Sequence, residues 1–129
     1  MRKFQEVIEL QGGDPRVCDD TGRLPRAREI IEVRAEGAGF VSRIACRASG
    51  HAITLLGAGR ETLTSAIDPA VGVVFHKKVG DAVGQGEPLL AVHANNRRRL
   101  EESLALLRRA VEVAEASPTA VPLIREILS

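Results

Sequence analysis

The chain has 129 residues, of which 44% are hydrophobic, and its formal net charge is +1. This length makes one ordinary domain, which buries roughly two-thirds of the surface that its unfolded chain exposes. The small net charge excludes a large field toward nucleic acid or an anionic membrane, and only three phenylalanines are present to stack on bases. We therefore expect no nucleic-acid partner, no membrane partner and a core of aliphatic side chains.

The start of the chain predicts a helix that is set apart from the rest of the molecule. Apolar side chains repeat at helical spacing from Phe4 to Ile8, and a glycine pair after Gln11 stops the helix. Asp14 precedes a proline, which favours an extended or turn geometry, and the polar stretch 16–27 is typical of a surface connection. The expected division is a helix with its linker, 1–15, and one domain, 16–129.

The middle of the chain predicts two strands and a short helix. β-Branched residues within 30–33 and a second apolar run at 40–45 flank a glycine-rich corner, which is typical of two short strands. The stretch 49–56 favours a helix, for which Ser49 is a candidate N-cap and Gly57 a candidate end.

The last part of the chain predicts two more strands and a long helix. The strands are expected over 71–76 and 89–93, with glycine-containing turns between them. Leucine and valine side chains repeat at intervals of four and three, so we predict a helix over 96–116 with one apolar stripe, and Pro118 ends it. The apolar tail 121–128 is either an edge strand or a helical turn.

The sequence carries no signal for export or for insertion into a membrane. No apolar run is long enough to span a bilayer, and the residues after Met1 are mixed polar and apolar, unlike a signal peptide. Cys18 and Cys46 lie far apart and outside any C-x-x-C pair. One disulfide between these two cysteines is an alternative, but two isolated thiols favour a reduced, cytoplasmic protein.

Three groups of short sequence strings occur in a fixed order from the first helix to residue 94. The first group is 3–4 with 11–15, and the second is Gly50 with 56–60 and 67–68. The third group consists of 71–73, 78–83, 86–89 and 93–94. Each string alone is a weak signal, because glycine-rich strings recur by chance. Together they resemble the C-terminal domain of the pyrimidine-nucleoside (thymidine) phosphorylase family. The final helix fits that family by position more than by particular residues.

The resemblance implies both a fold and a function. The fold is α+β of the α/β-hammerhead, barrel-sandwich-like kind: a small curved sheet with an inserted helix and a long C-terminal helix. Enzymes of the family carry out reversible phosphorolysis of thymidine or uridine to the free base and a pentose 1-phosphate. Their substrate groups belong to two preceding domains, whose motifs do not occur among these 129 residues.

The resemblance therefore implies a structural role for this chain. We expect no catalytic, cofactor-binding or metal-binding residue, no cofactor, and no catalysis by the chain alone. The expected partner is the catalytic α/β domain of a phosphorylase, and a weak homo-oligomer is a further expectation.

A phosphate-binding role for the glycine-rich string 56–60 is the first alternative. Glycine amides and the guanidinium of Arg60 are suited to an oxyanion. The string lacks both the Rossmann and the P-loop spacing, and it follows a helix instead of preceding one. We favour a turn that ends the helix, with Arg60 making a structural bond.

The second alternative is a biotinyl or lipoyl carrier, or another small binding module, because the hairpin 79–89 is similar to the one in such carriers. Its Gly80 and Asp81 are typical of a tight turn, and Val83 and Leu89 are expected to pack inward. A carrier needs a lysine after the next strand, where this sequence has three arginines, 97–99. We therefore favour the structural role.

The remaining polar residues predict no catalytic cluster. The three histidines are scattered and have no metal-ligand spacing, and we expect His76 and His93 to be half-buried structural residues. The arginines 97–99 are expected at the start of the last helix, paired with Glu101 and Glu102, although docking to an acidic surface is the alternative. The aspartates are expected in turns and caps: Asp14, Asp19, Asp20 and Asp68.

Overall fold

Three α-helices and six strands are present among residues 1–60, 62–119, 122, 124 and 126, which the computed structural model describes. The helices are α1 (Arg2–Leu10), α2 (Cys46–Ile53) and α3 (Leu100–Ala110). The strands are β1 (Glu29–Arg34), β2 (Gly39–Ile44), β3 (Gly72–Phe75), β4 (Ala82–Val83), β5 (Pro88–Ala94) and β6 (Val111–Ala114). The predicted tail element over 121–128 lies outside the described residues, apart from Pro122, Ile124 and Glu126.

The strands form two small antiparallel sheets, ordered β1-β5-β3 and β4-β2-β6. The two strands predicted around the glycine corner are therefore confirmed, and the corner carries the chain from the first sheet to the second. The corner is held at Ala35, whose amide donates to the carbonyl of Glu87 and whose carbonyl accepts from the amide of Gly86, both at 2.9 Å. Helices together with antiparallel sheets confirm the α+β class.

The core lies around β5, the central strand of the first sheet. Its Leu90 and Val92 are fully buried, and they pair in register with Val33 and Ile31 of β1. Side chains alternate between the two faces of a strand, so this register turns one apolar row of each strand toward the second sheet and the helices. The buried side chains are almost entirely aliphatic, as the composition predicts.

The last helix is shorter than the apolar repeat predicts. The stripe itself is confirmed, because Leu100, Leu104 and Leu107 are buried. The predicted end near residue 116 is wrong: the helix ends at Ala110, and β6 pairs with β2 through Val111 opposite Ile44 and Val113 opposite Val41. Pairing these β-branched residues with a buried neighbouring strand outweighs one more helical turn.

The predicted start of the last helix near residue 96 is also wrong. The carboxamide oxygen of Asn96 accepts from the backbone N–H of Arg98 at 2.8 Å, which makes a turn before the helix begins at Leu100.

The prediction of Ser49 as the N-cap of the second helix is wrong as well. Helix α2 begins three residues earlier, at Cys46, and Ser49 is a buried residue inside it, with its hydroxyl donating to the carbonyl of Ala45 at 3.1 Å. The early start has a tertiary cause. Just beyond the last paired residues of β2 and β6, the amide of Ala45 donates to the carbonyl of Ala110 at 2.8 Å. The chain therefore turns directly from the strand into the helix.

Helix α1 makes its main contact with the 3₁₀ turn Pro15–Cys18 that follows it. Its apolar face stays open: Phe4 is 59% exposed and Leu10 is 88% exposed. Among the described residues α1 buries no side chain completely. The division of the chain at residue 15 stays a prediction.

Two aspartates of the connection, Asp14 and Asp20, serve as turn residues, as predicted. Asp14 accepts from the backbone N–H of Arg16, and its hydrogen bonds to the Arg16 side chain lower the pKa of its carboxyl to about 2. Asp20 accepts from the backbone N–H of Gly22. Asp19 instead accepts from the carboxamide of Gln5 at 3.2 Å, which links α1 to the connection.

None of the helices in the described part of the chain is both long and apolar enough to cross a bilayer.

Candidate functional site

An open cleft of about 640 Å³ lies between the two sheets, and we call it the inter-sheet cleft. Its floor includes Val33 and Leu89 from the first sheet and Val111 and Val113 from β6. Its rim carries charged side chains, namely Arg34, Glu36, Arg108, Arg109 and Glu115. The arrangement combines an apolar floor with a charged rim, which is the usual composition of a binding surface.

The arginines of the rim differ in how they are held. The guanidinium of Arg34 donates to the carbonyl of Gly86 at 2.8 Å and pairs with Glu32, so its position is fixed. Arg108 and Arg109 are exposed on the last turn of α3, where the negative end of the helix dipole favours cations. Neither forms an ion pair with another described residue, so both guanidiniums are available to a carboxylate or phosphate.

A polar junction joins four separate segments on another part of the molecule. The carboxylate of Asp68 accepts from the backbone N–H of Ala70 at 2.9 Å and from the carboxamide of Asn95 at 2.8 Å. The Asn95 oxygen accepts from the amide of Arg28 at 2.7 Å, and the amide of Asp68 donates to the carbonyl of Gly57 at 2.9 Å. The junction therefore ties the start of β1, the end of β5 and the end of the second helix together.

The prediction of Asp68 as a turn residue is confirmed by its bond to Ala70. The role of Asn95 is not evident from the sequence, because its partners lie 27 and 67 residues away along the chain.

Stability in acid is expected to depend on this junction. Its hydrogen bonds, first of all the one from Asn95, lower the pKa of the Asp68 carboxyl below its usual value of 3.8. A lowered pKa in the folded state stabilises the fold above the unfolded-state pKa, and this contribution is lost as the pH falls through the folded-state pKa. We expect Asp68→Asn to lower the melting temperature at pH 7, and the difference from the parent to shrink as the pH falls below 3.8 and through the lowered pKa of the folded state.

Thermal melts of both proteins between pH 7 and pH 2 measure this effect. The control is Glu9→Gln, which replaces an exposed carboxylate on α1 and should leave the melting temperature unchanged. An Asp68→Asn protein that melts with the parent at every pH would show that the charge of Asp68 does not stabilise the fold.

The glycine-rich string 56–60 ends the second helix, as predicted. A π-type turn, Thr54–Ala58, follows α2, and within it Gly57 has a φ of +105°, a conformation that side chains disfavour. Leu56 is buried in the core. The predicted structural bond of Arg60 is not found among the described residues, and its side chain is exposed to solvent.

The segment 79–89 does not form the predicted hairpin, because β4 pairs with β2 in one sheet and β5 pairs with β1 and β3 in the other. Its turn residues and its buried residues do agree with the prediction. Gly80 has a φ of +96°, the carboxylate of Asp81 accepts from the backbone N–H of Lys78 at 2.7 Å, and Val83 and Leu89 are buried. The turn is bonded to the second sheet, because the amide of Gly80 donates to the carbonyl of Val41 at 2.8 Å.

Lys77, which lies just before this segment, is engaged in the fold. The ammonium of Lys77 lies 2.5 Å from a carboxylate oxygen of Glu87 and donates to the carbonyl of Ala82. Its hydrogen bond lowers the pKa of Glu87. Lys77 thus ties β4 to the turn that precedes β5.

The histidines and the arginine run are only partly where the sequence predicts. His93 is half-buried, but His76 is exposed, because it lies just beyond the end of β3. Arg99 pairs with Glu102 at 3.1 Å as expected, whereas Arg97 pairs with Glu29 of β1 at 2.9 Å. The run precedes α3, which leaves Arg97 beside the first strand.

The described residues contain no cluster of three His, Cys, Asp or Glu side chains that could hold a metal ion. Cys18 and Cys46 are both free thiols. The absence of catalytic, cofactor-binding and metal-binding residues stays a prediction.

Comparisons with known proteins agree with each other. Residues 40–114 match the family model of the pyrimidine nucleoside phosphorylase C-terminal domain. The pyrimidine-nucleoside phosphorylase of Geobacillus stearothermophilus is 42% identical over 122 residues, which cover 95% of this chain and 28% of that protein. The one of Bacillus subtilis is 43% identical over 114 residues, covering 88% and 26%. The one of Staphylococcus haemolyticus is 40% identical over 129 residues, covering 100% and 29%. The chain spans less than a third of each relative.

Proposed function

Because the chain belongs to the pyrimidine nucleoside phosphorylase C-terminal domain family, we propose that it supports the catalytic part of such a phosphorylase. The observation that carries this proposal is the coverage: 95% of the chain matches the Geobacillus stearothermophilus enzyme but accounts for only 28% of it. In the complete enzyme the reaction would be reversible phosphorolysis of a pyrimidine nucleoside to the base and a pentose 1-phosphate. Its partner would be the catalytic α/β domain.

We propose further that the two sheets and α2 form the hammerhead arrangement of this family. Two features support this proposal. The chain passes from one sheet to the other at the glycine-rich corner, and α2 follows β2 directly. The free thiols of Cys18 and Cys46 support a cytoplasmic location. Weak pairing of two copies stays a prediction, for which the exposed face of α1 is the available surface.

The carrier alternative has less support. The relatives that the chain matches are phosphorylases, and Lys77 is held by Glu87. Beyond β5 the sequence continues with asparagines and arginines, which do not form the amide to biotin or lipoate.

The proposal predicts activity in a chimera and none in the chain alone. Phosphorolysis requires phosphate and the departing base to be positioned together, and positioning and electrostatics supply most of the rate. We expect no release of thymine from thymidine and phosphate by the 129-residue chain. We expect release by the Geobacillus stearothermophilus enzyme in which this chain replaces the matching 122 residues.

Liquid chromatography of the released base measures both reactions. The control is the same relative truncated before the matching segment, which should be inactive. Turnover by the isolated chain, after removal of host phosphorylase, would contradict the proposed division of labour. A folded but inactive chimera would contradict the supporting role.

A further inference from the structure

Building on the proposed function, we propose that the inter-sheet cleft is a docking site for an extended, acidic segment of the phosphorylase's catalytic part. Such a segment would place an apolar side chain on the floor of the cleft and carboxylates beside Arg108 and Arg109.

The floor favours an apolar anchor. It lies where the inner faces of the two sheets separate, and its residues belong to the apolar core: Val33, Leu89 and Val111 are buried and Val113 is half-buried. Ala105 of α3 is an exposed small residue on the same wall, so it leaves room above the floor. Covering these side chains with an apolar group removes further apolar surface from water.

The edges of the cleft favour an extended backbone. Among the described strands, β1 is an outer strand of the first sheet and β6 is an outer strand of the second. Both strands contribute to the lining of the cleft. An outer strand has backbone groups without a neighbouring strand, and an added peptide is a common partner for them.

The rim favours an acidic partner of protein size over a small anion. Arg34 is already paired with Glu32, so the remaining rim charges are two arginines and two glutamates. Both of these arginines lie on the last turn of α3, and neither has an ion pair to a described residue. A small polyanion would also meet Glu36 and Glu115, which repel it. An extended segment spans the cleft and sets its carboxylates against the arginine side only.

The length of the relatives indicates the occupant. This chain accounts for 28% of the Geobacillus stearothermophilus enzyme, so most of that protein lies outside the matched segment and is joined to it. A joined partner docks at a high effective concentration, which makes a cleft of modest size sufficient.

The test uses the active chimera with Arg108→Glu and Arg109→Glu together. Its matched control is Arg47→Glu with Arg98→Glu, which makes the same change of charge at exposed arginines outside the cleft lining. Hydrogen exchange at 33–38 and 111–115 is compared between each chimera and its isolated chain. We expect slower exchange in the parent chimera than in the isolated chain. In the cleft variant this protection should fall by about tenfold or more, and in the control it should not fall. Arg108→Lys with Arg109→Lys should retain the protection.

Each outcome decides the matter. Equal protection in the cleft variant and the control, with the chimera active, would overturn the docking site and leave the proposed function standing. A parent chimera that is folded and inactive would overturn the proposed function, and the docking site with it. If the isolated chain dimerises and the cleft substitutions abolish this dimerisation, the cleft is assigned to a second copy of the chain. Two glutamates on the last turn of α3 oppose the helix dipole, so we expect the isolated cleft variant to melt below the isolated parent. Because each chimera is compared with its own isolated chain, loss of docking is separated from this loss of stability.

Discussion

Replacing Leu107 by alanine should lower the free energy of unfolding by about 2–5 kcal/mol. The Leu107 side chain is fully buried on the inner face of α3, in the core shared with α2 and both sheets. Truncation removes apolar contacts and leaves a cavity that the surrounding sheets close only in part. Small domains have a total stability of about 5–15 kcal/mol, so this single change removes a large share of it. Urea denaturation followed by circular dichroism measures the loss.

The matched control is Leu63→Ala. Leu63 is 94% exposed, so the same truncation should change the free energy of unfolding by less than about 0.5 kcal/mol. Equal losses at the two positions would mean that the packing of α3 does not stabilise the fold.

Gly39→Ala is expected to disrupt the second sheet. A Cβ at this position would lie 2.4 Å from the carbonyl oxygen of Ala114 and 3.0 Å from a methyl of Val113. The closer contact is with backbone, so β2 and β6 must move apart for a side chain to fit. We expect a loss of about 1–3 kcal/mol in the free energy of unfolding, as for other overpacked sites. Thermal melts and faster hydrogen exchange in β6 measure this loss.

Gly37 gives a control of the opposite sign. It lies in the exposed corner before β2, and no atom is within 4 Å of a Cβ built there. Alanine restricts the unfolded chain more than glycine does, so Gly37→Ala should be neutral or stabilise the fold by up to about 1 kcal/mol. If Gly39→Ala is as harmless as Gly37→Ala, the close approach of β6 to Gly39 is not needed for stability.

Several features could be predicted from the sequence because each depends on neighbouring residues. The stripe from Leu100 to Leu107 identifies the buried face of α3, and Gly80 with Asp81 identifies a tight turn. Gly57 marks the end of the second helix for the same local reason: few residues other than glycine adopt its φ. The strings 56–60 and 78–89 also carry the resemblance to the phosphorylase family, which the comparisons confirm.

The remaining features depend on residues that are distant in sequence. Val111 and Ala114 continue an apolar repeat that is typical of a helix, and only their pairing with β2, about 70 residues earlier, makes them part of a strand. The inter-sheet cleft and the junction at Asn95 arise in the same way, from segments that come together only when the sheets assemble. The sequence by itself thus determined the local elements and the family, while the tertiary structure decided where α3 ends and which side chains meet. The physical reason is that periodicity reports local backbone preference, whereas strand pairing and burial between distant segments contribute the larger free energy and override it.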